Sequence, residues 1–175
     1  ISQERLEDCI NSDLANNFGN LCQRVSAFAM KNCEGKVPSK IKFLGDDLKI
    51  LDNFKSNLDL IRERIDKQDV NFYINFIINA LFEINKYFND QEPWKKKNDT
   101  IRLNTIVYTS FEIIRKISYM LYPIIPQSSL NALKLFGIKE NEIKFSSIGA
   151  HNYLKENSNI CKIDILFKKI DKNND

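Results

Sequence analysis

The sequence predicts an all-α fold, an antiparallel bundle of about five helices with a short extended C-terminal tail. Two observations support this prediction. Apolar residues recur at steps of three and four through most of the chain, which is the period of an α-helix. The 175 residues also include only 5 Gly and 4 Pro, too few for the many tight turns of an all-β fold. This length suits a single domain.

The first three helices follow from the positions of their apolar residues. A helical period runs from about Gln3 to Asn32, and Gly35 and Pro38 end it. A second segment, about Asp46 to Asp66, and a third, Val70 to Phe88, lie on either side of a three-residue turn. So short a link favours antiparallel neighbours. The apolar stripe of the third helix consists of Phe72, Tyr73, Phe76, Ile77, Ala80, Leu81 and Ile84.

The fourth and fifth helices follow a polar linker at 89–99. Asp99 is a suitable N-cap for the fourth helix, and Pro123 and Pro126 end it. A fifth helix begins at Ser128 or Ser129 and ends at Gly137.

The helical period fades after Ile138, and 162–170 has the composition of a short strand. We therefore divide the chain into a helical bundle, 1–150, and a C-terminal return segment with a polar tail, 151–175.

Composition excludes several classes of function. The net charge of +3, from 26 basic and 23 acidic residues, permits a nucleic-acid partner only if the basic groups cluster. The chain has no glycine-rich nucleotide motif and no apolar run long enough to span a membrane. Its four cysteines form no CxxC pair and there is one histidine, so we predict no metal site. We interpret the cysteines as small buried hydrophobes of a cytoplasmic protein.

Asn16, Asn20 and Arg24 are spaced i, i+4, i+8 on the first helix and form a polar stripe. Carboxamide and guanidinium groups are the side chains that hydrogen-bond base edges. The alternative is an ordinary solvated face opposite the core.

The only tryptophan stands in the polar linker, in the run Pro93, Trp94, Lys95, Lys96, Lys97. An exposed indole beside cations is typical of a stacking platform for an unpaired base, with lysines for the phosphates. The alternative is a Trp94 folded back to fill the gap between the third and fourth helices.

Two further polar sets have simpler interpretations. Glu112 with Arg115 and Lys116 has the spacing of an ion-pair set on a helix surface. His151 lies in a predicted loop, where we expect it to be solvated and not catalytic.

Taken together, these stretches resemble the anticodon-binding domain of bacterial methionyl-tRNA synthetases. The segment DLANNFGNLCQR is similar to the family's DLANDLGNLxxR, and NKYFNDQEPW to its NxYxxxxxPW. EIIR, PIIP and LFKKI are similar to its later ExxR, PxxP and LFPRI landmarks. The five segments occupy 13–24, 85–94, 112–115, 123–126 and 166–170, in the family's order.

The resemblance implies specific roles for the site residues. Trp94 would stack on the wobble cytosine of a CAU anticodon, and Asn20 and Arg24 would hydrogen-bond anticodon bases. Asn16 and Pro93 would belong to the same site. The implied partners are a methionine or initiator tRNA and the enzyme's own catalytic domain.

The HIGH-like and KMSKS-like motifs of the family's Rossmann catalytic domain, where ATP and methionine bind, are absent from these 175 residues. We therefore expect a fragment that recognises tRNA but does not aminoacylate by itself and needs no cofactor. The alternative from another class is a stand-alone helical protein-interaction module.

Overall fold

The computed structural model describes residues 3–162 and contains five α-helices in that range. They are α1 (Gln3–Asn32), α2 (Gly45–Asp66), α3 (Val70–Gln91), α4 (Thr100–Leu121) and α5 (Pro126–Lys134). Short 3₁₀ turns occupy Pro93–Lys95, Glu140–Glu142 and Phe145–Ser147. The described residues form no strand, and their one isolated β-bridge joins Lys36 to Asn159. The all-α prediction is confirmed.

Local capping sets several helix ends. The Asp69 carboxylate accepts a hydrogen bond from the amide of Phe72 at 3.1 Å and thereby caps α3. Asp99 does the same for α4, accepting from the Arg102 amide at 3.2 Å, as the sequence predicted. α5 begins at Pro126, earlier than predicted, because proline at the first helical position needs no amide and already has a helical φ.

Helix α3 packs antiparallel to α2 and to α4, as two side-chain bonds show. The hydroxyl of Tyr87, near the end of α3, donates to the carboxylate of Asp47 at the start of α2. The hydroxyl of Tyr73, near the start of α3, donates to the carbonyl of Met120 at the end of α4. Each bond joins the beginning of one helix to the end of the other, so α3 runs against both neighbours.

α4 is the central helix and packs against α1, α2, α3 and α5. Its side chains from Thr105 to Leu121 are all buried. The hydroxyls of Ser110 and Ser118 are satisfied along the helix, where they donate to the carbonyls of Ile106 and Ile114 at 2.8 and 2.6 Å.

The surface ion-pair set predicted for α4 is wrong, because Glu112, Arg115 and Lys116 are fully buried. Arg115 Nε donates to Glu112 at 2.8 Å, and the other Glu112 oxygen accepts from the Leu154 amide at 2.8 Å. Arg115 and Lys116 also donate to the carbonyl of Ala150. Burial lowers the pKa of Lys116 to about 7. These polar groups fasten the segment that follows α5 to the middle of the bundle.

His151 is in a loop, as predicted, but its side chain is only 14% exposed. Its Nε2 lies 2.8 Å from an Asp52 oxygen and its Nδ1 lies 3.3 Å from Lys116 Nζ. The expectation of a solvated imidazole is therefore wrong.

The cysteine interpretation is half right, since Cys22 and Cys33 are buried whereas Cys9 and Cys161 are exposed. The strand predicted at 162–170 lies almost wholly outside the described residues, and the division at residue 150 remains a prediction.

Candidate nucleic-acid interface

One helix face of α1 carries the predicted polar stripe. Asn20 and Arg24 are exposed and Asn16 is half-buried, whereas the intervening Phe18 and Leu21 belong to the core. With 3.6 residues per turn, the core residues of α1 thus lie on one face of the helix and the polar stripe lies on the face at the surface.

The Pro-Trp segment is a tight turn at the end of α3. Glu92 ends the helix in the left-handed region, with φ 47° and ψ 57°, which reverses the chain direction. Pro93 is buried and opens the 3₁₀ turn, whose backbone bonds include Lys96 N to Pro93 O at 3.0 Å. Trp94 is 41% exposed. The buried Pro93 therefore holds the turn against the bundle, and the Trp94 indole lies at the surface.

Arg24 joins the two predicted sites. Its guanidinium carbon lies 4.9 Å from the centroid of the buried Phe88 ring and 5.9 Å from that of Trp94. Its Nη2 also donates to the side-chain oxygen of Asn89. The Phe88 and Trp94 centroids are 6.1 Å apart at an interplanar angle of 56°. Two cation–π contacts and one hydrogen bond hold the guanidinium beside the indole.

The three lysines after Trp94 differ in their surroundings. Lys95 forms an exposed ion pair with Glu92 at 2.8 Å, and that hydrogen bond raises the pKa of Lys95. Lys96 is half-buried and donates to the carbonyl of Gln91. Lys97 is exposed and has no ion pair within 3–162. Lys97 is therefore the phosphate-contact candidate that has the fewest interactions within the protein to give up on binding a phosphate.

A buried ion pair between α2 and α4 lies next to this turn and stabilises it. Arg102, in the first turn of α4, donates to both oxygens of Asp47 at 2.7 and 2.9 Å. Its Nη2 also donates to the Gln91 side chain at 2.7 Å, next to the left-handed Glu92. The pair ties the start of α2, the end of α3 and the start of α4 together at the point from which Trp94 projects.

A groove of about 500 Å³ lies beside this cluster, between α1 and α3. Asn20 and Arg24 line it from α1, and Ile78, Phe82 and Asn85 line it from α3. Phe82 is 65% exposed. The polar stripe is thus one wall of a concave surface whose other wall is partly apolar.

No three His, Cys, Asp or Glu side chains among residues 3–162 are grouped closely enough to hold a metal ion. Over the same residues, no helix combines the length and the apolar character needed to cross a membrane.

A family profile described as the anticodon binding domain of methionyl tRNA ligase matches residues 37–175, most of the chain. The chain belongs to this family. The resemblance inferred from the ordered landmarks is therefore confirmed, and so is the identification of an anticodon-binding domain of the methionine enzyme.

Known proteins similar to this anticodon-binding domain are much longer. The methionine–tRNA ligase of Brucella suis is 36% identical over 148 residues, which cover 84% of this chain and 29% of that protein. That of Thermotoga maritima is 33% identical over 172 residues, or 97% of this chain and 27% of that protein. The apo methionyl-tRNA synthetase structure from Mycobacterium tuberculosis superposes with a TM-score of 0.84 at 29% identity, over 98% of this chain and 35% of that one. The domain spans about a third or less of these relatives' length.

The structure brings Asn20, Arg24 and Trp94 to one surface of the anticodon-binding domain, with Pro93 buried next to the indole, and the roles of these four residues toward RNA stay predictions. Sequence reasoning missed Phe82 as a possible member of this surface. The available signal was its absence from the apolar stripe of the third helix, because an aromatic residue outside that stripe has no place in the core.

Proposed function

We propose that this domain recognises the CAU anticodon of methionine and initiator tRNAs. The observation that carries the proposal is the cluster in which Arg24 lies 5.9 Å from the ring of the exposed Trp94. An exposed indole gives a flat face for an unpaired base, and a fixed guanidinium gives a planar set of donors next to it.

Stacking and base reading fall to different residues in this proposal. Stacking on Trp94 tolerates any base, because every base has a π-face. Selection of one base has to come from hydrogen bonds to its edge, for which Arg24 and Asn20 are the exposed groups. Asn16 extends the same face of α1, and Pro93 fixes the direction of the indole.

The lysines of the turn supply a weaker and less specific attraction. Lys95, Lys96 and Lys97 follow Trp94 directly, so the phosphates that flank a stacked base would pass near them, with Lys97, exposed and outside any ion pair within 3–162, the most available of the three. Contacts of this kind position the RNA and weaken with salt, but they do not read sequence.

For the whole protein we propose an ATP-dependent methionine–tRNA ligase that acts in translation in the cytoplasm. ATP and methionine would bind in a catalytic domain outside these 175 residues, since the chain carries neither of the family's catalytic motifs. The domain alone would then have no cofactor and no aminoacylation activity.

Replacement of Trp94 by alanine and by phenylalanine tests the anticodon proposal. Affinity for a CAU stem-loop at one fixed salt concentration should fall by about 1–3 kcal/mol in Trp94→Ala, and Trp94→Phe should retain part of it. The thermal midpoint should change little, since the indole is 41% exposed.

Tyr153→Ala is the matched control. Tyr153 is also an exposed aromatic residue, at 37%, but it packs on Tyr119 near the opposite end of α4. Equal affinity of wild type and Trp94→Ala would overturn the proposal and favour a protein-interaction module. A large drop in midpoint with normal affinity of the folded fraction would make Trp94 a core residue.

A further inference from the structure

We propose that the α1–α3 groove holds a second unpaired anticodon base, stacked on Phe82. This inference rests on the anticodon function proposed above and adds a second aromatic platform to it. The structural juxtaposition is an exposed phenyl ring on α3 facing the amide and guanidinium groups of α1 across one groove.

The exposure of Phe82 is not explained by folding. Its neighbours Leu81 and Ile84 are buried and supply the core contacts of this part of α3. Phe82 itself is 65% exposed, and Ile78, one turn earlier, is 44% exposed. Two large apolar side chains on one exposed face make a patch that water solvates poorly, and such patches mark binding surfaces.

The polar residues of the groove suit a nucleobase. Asn17 and Asn20 line it and make no side-chain hydrogen bond within residues 3–162, so their amides can both donate and accept. Asn85 uses one N–H on the carbonyl of Leu81 at 2.9 Å, which leaves its oxygen to accept. No carboxylate is among the lining residues, so nothing in the groove repels an RNA strand.

The groove is continuous with the Trp94 platform. Arg24 lines the groove and also lies 5.9 Å from the Trp94 ring, so one guanidinium borders both surfaces. A strand that places one base on Trp94 therefore passes the mouth of the groove with the next. The groove volume of about 500 Å³ lies within the usual range of small-molecule sites.

The test compares Phe82→Ala, Phe82→Leu and Phe82→Tyr in the 175-residue chain. Binding of a CAU stem-loop should weaken by about 5- to 150-fold in Phe82→Ala, the effect expected for one lost base stack. Phe82→Tyr should bind like wild type because it keeps a flat ring, whereas Phe82→Leu keeps apolar area without the π-face and should bind less tightly. Val70→Ala is the control, since Val70 is also exposed, at 58%, and lies on α3 outside the groove.

A stem-loop with 2-aminopurine in place of the middle anticodon adenine reports on the stack directly. Its fluorescence should be quenched on binding to wild type, and Phe82→Ala should relieve that quenching at saturating protein. Normal affinity and unchanged quenching in Phe82→Ala would overturn this inference and leave Phe82 to a contact with protein.

The Trp94 variants separate this inference from the proposed function. If Trp94→Ala binds weakly while Phe82→Ala binds like wild type, the second platform is refuted and anticodon binding stands. If neither change affects binding, both proposals fall. A lowered thermal midpoint in Phe82→Ala with normal affinity of the folded fraction would make Phe82 a packing residue and would also refute the inference.

Discussion

Replacing Arg102 by methionine should destabilise the bundle strongly, because it leaves the buried Asp47 carboxylate without its counter-charge. Asp47 is fully buried and accepts four hydrogen bonds, two from Arg102, one from the Tyr87 hydroxyl and one from the Leu44 amide. Because methionine keeps much of the apolar volume of arginine, the loss of stability reports on the missing charge and its hydrogen bonds and not on lost packing.

The size of the effect follows mainly from the two bonds to Asp47 that are removed. The third bond of Arg102, to the half-buried Gln91 side chain, adds less because water can replace it. Hydrogen bonds to charged groups contribute about 1.5–3 kcal/mol each, and breaking one partner of a buried pair costs about 3–5 kcal/mol. Two bonds to Asp47 survive in Arg102→Met, so the free energy of unfolding should fall by about 3–5 kcal/mol. For a chain of this size that lowers the thermal midpoint by about 6–20 °C.

Urea denaturation at neutral pH measures the loss, and two variants calibrate it. Asp47→Asn in the Arg102→Met background removes the stranded charge and should recover at least about 1 kcal/mol. Lys67→Ala breaks the exposed ion pair with Glu63, whose side chains are 65% and 55% exposed, and should change the free energy of unfolding only slightly, because water solvates and screens both charges. A loss in Arg102→Met as small as that of Lys67→Ala would refute the reasoning, since it would mean that water solvates Asp47 once the guanidinium is gone.

Three further outcomes are expected. Arg24→Ala should cost about 1–3 kcal/mol in stem-loop affinity and relax discrimination at one anticodon base; a loss that is uniform over stem-loops of different anticodons would make Arg24 a phosphate contact. Lys116→Met should abolish a gain in stability that wild type shows as the pH rises. In the folded protein the pKa of Lys116 is lowered to about 7, so the amine loses its proton above pH 7, whereas in the unfolded chain it stays protonated up to about pH 10.5. The difference in the free energy of unfolding between wild type and Lys116→Met should therefore rise between pH 7 and 9, by at most about 1.4 kcal/mol per pH unit. A difference that does not change with pH would contradict the prediction that the buried Lys116 amine is neutral in the folded protein. The 175-residue chain should catalyse no methionine-dependent exchange of pyrophosphate into ATP, and any exchange by the purified chain would show that it contains catalytic groups.

The helices could be predicted from the sequence because their signals are local. The apolar period predicts a first helix from about Gln3 to Asn32, and α1 has these bounds. The N-cap at Asp99 is equally local, since its partner is the amide three residues later. α3 was predicted to end at Phe88 but continues to Gln91. Its last turn is polar, so the apolar period gives no signal there.

The buried charges of α4 show where local reasoning fails. Glu112 and Arg115 have the spacing of a surface ion pair, and the spacing is right, since they do pair at 2.8 Å. What buries them is the segment around Ala150 and Leu154, whose backbone groups bond them from 35 and 42 residues away. No pattern within the helix encodes that partner.

The candidate site divides in the same way. The sequence predicts an exposed Trp94 among cations, because no helical period explains a tryptophan in a polar linker. It does not predict that Phe88 lies 6.1 Å from the indole or that Arg24 contacts both rings. The ring contact depends on the left-handed turn at Glu92, and the Arg24 contacts depend on the packing of α1 against the end of α3, a tertiary relation between residues more than sixty positions apart.

The position of Phe82 on α3 is itself a sequence signal for a binding face. Successive residues of an α-helix are rotated by about 100°, so Phe82 lies to one side of the stripe formed by Ile77, Leu81 and Ile84. Ile78, four residues earlier, shares the face of Phe82, and both side chains are exposed. Two large apolar residues on a face that the helical period assigns to solvent need a partner other than the core. The sequence could thus have indicated a binding face on α3, but only the structure places Asn20 and Arg24 across the groove from it and so indicates a base as the partner.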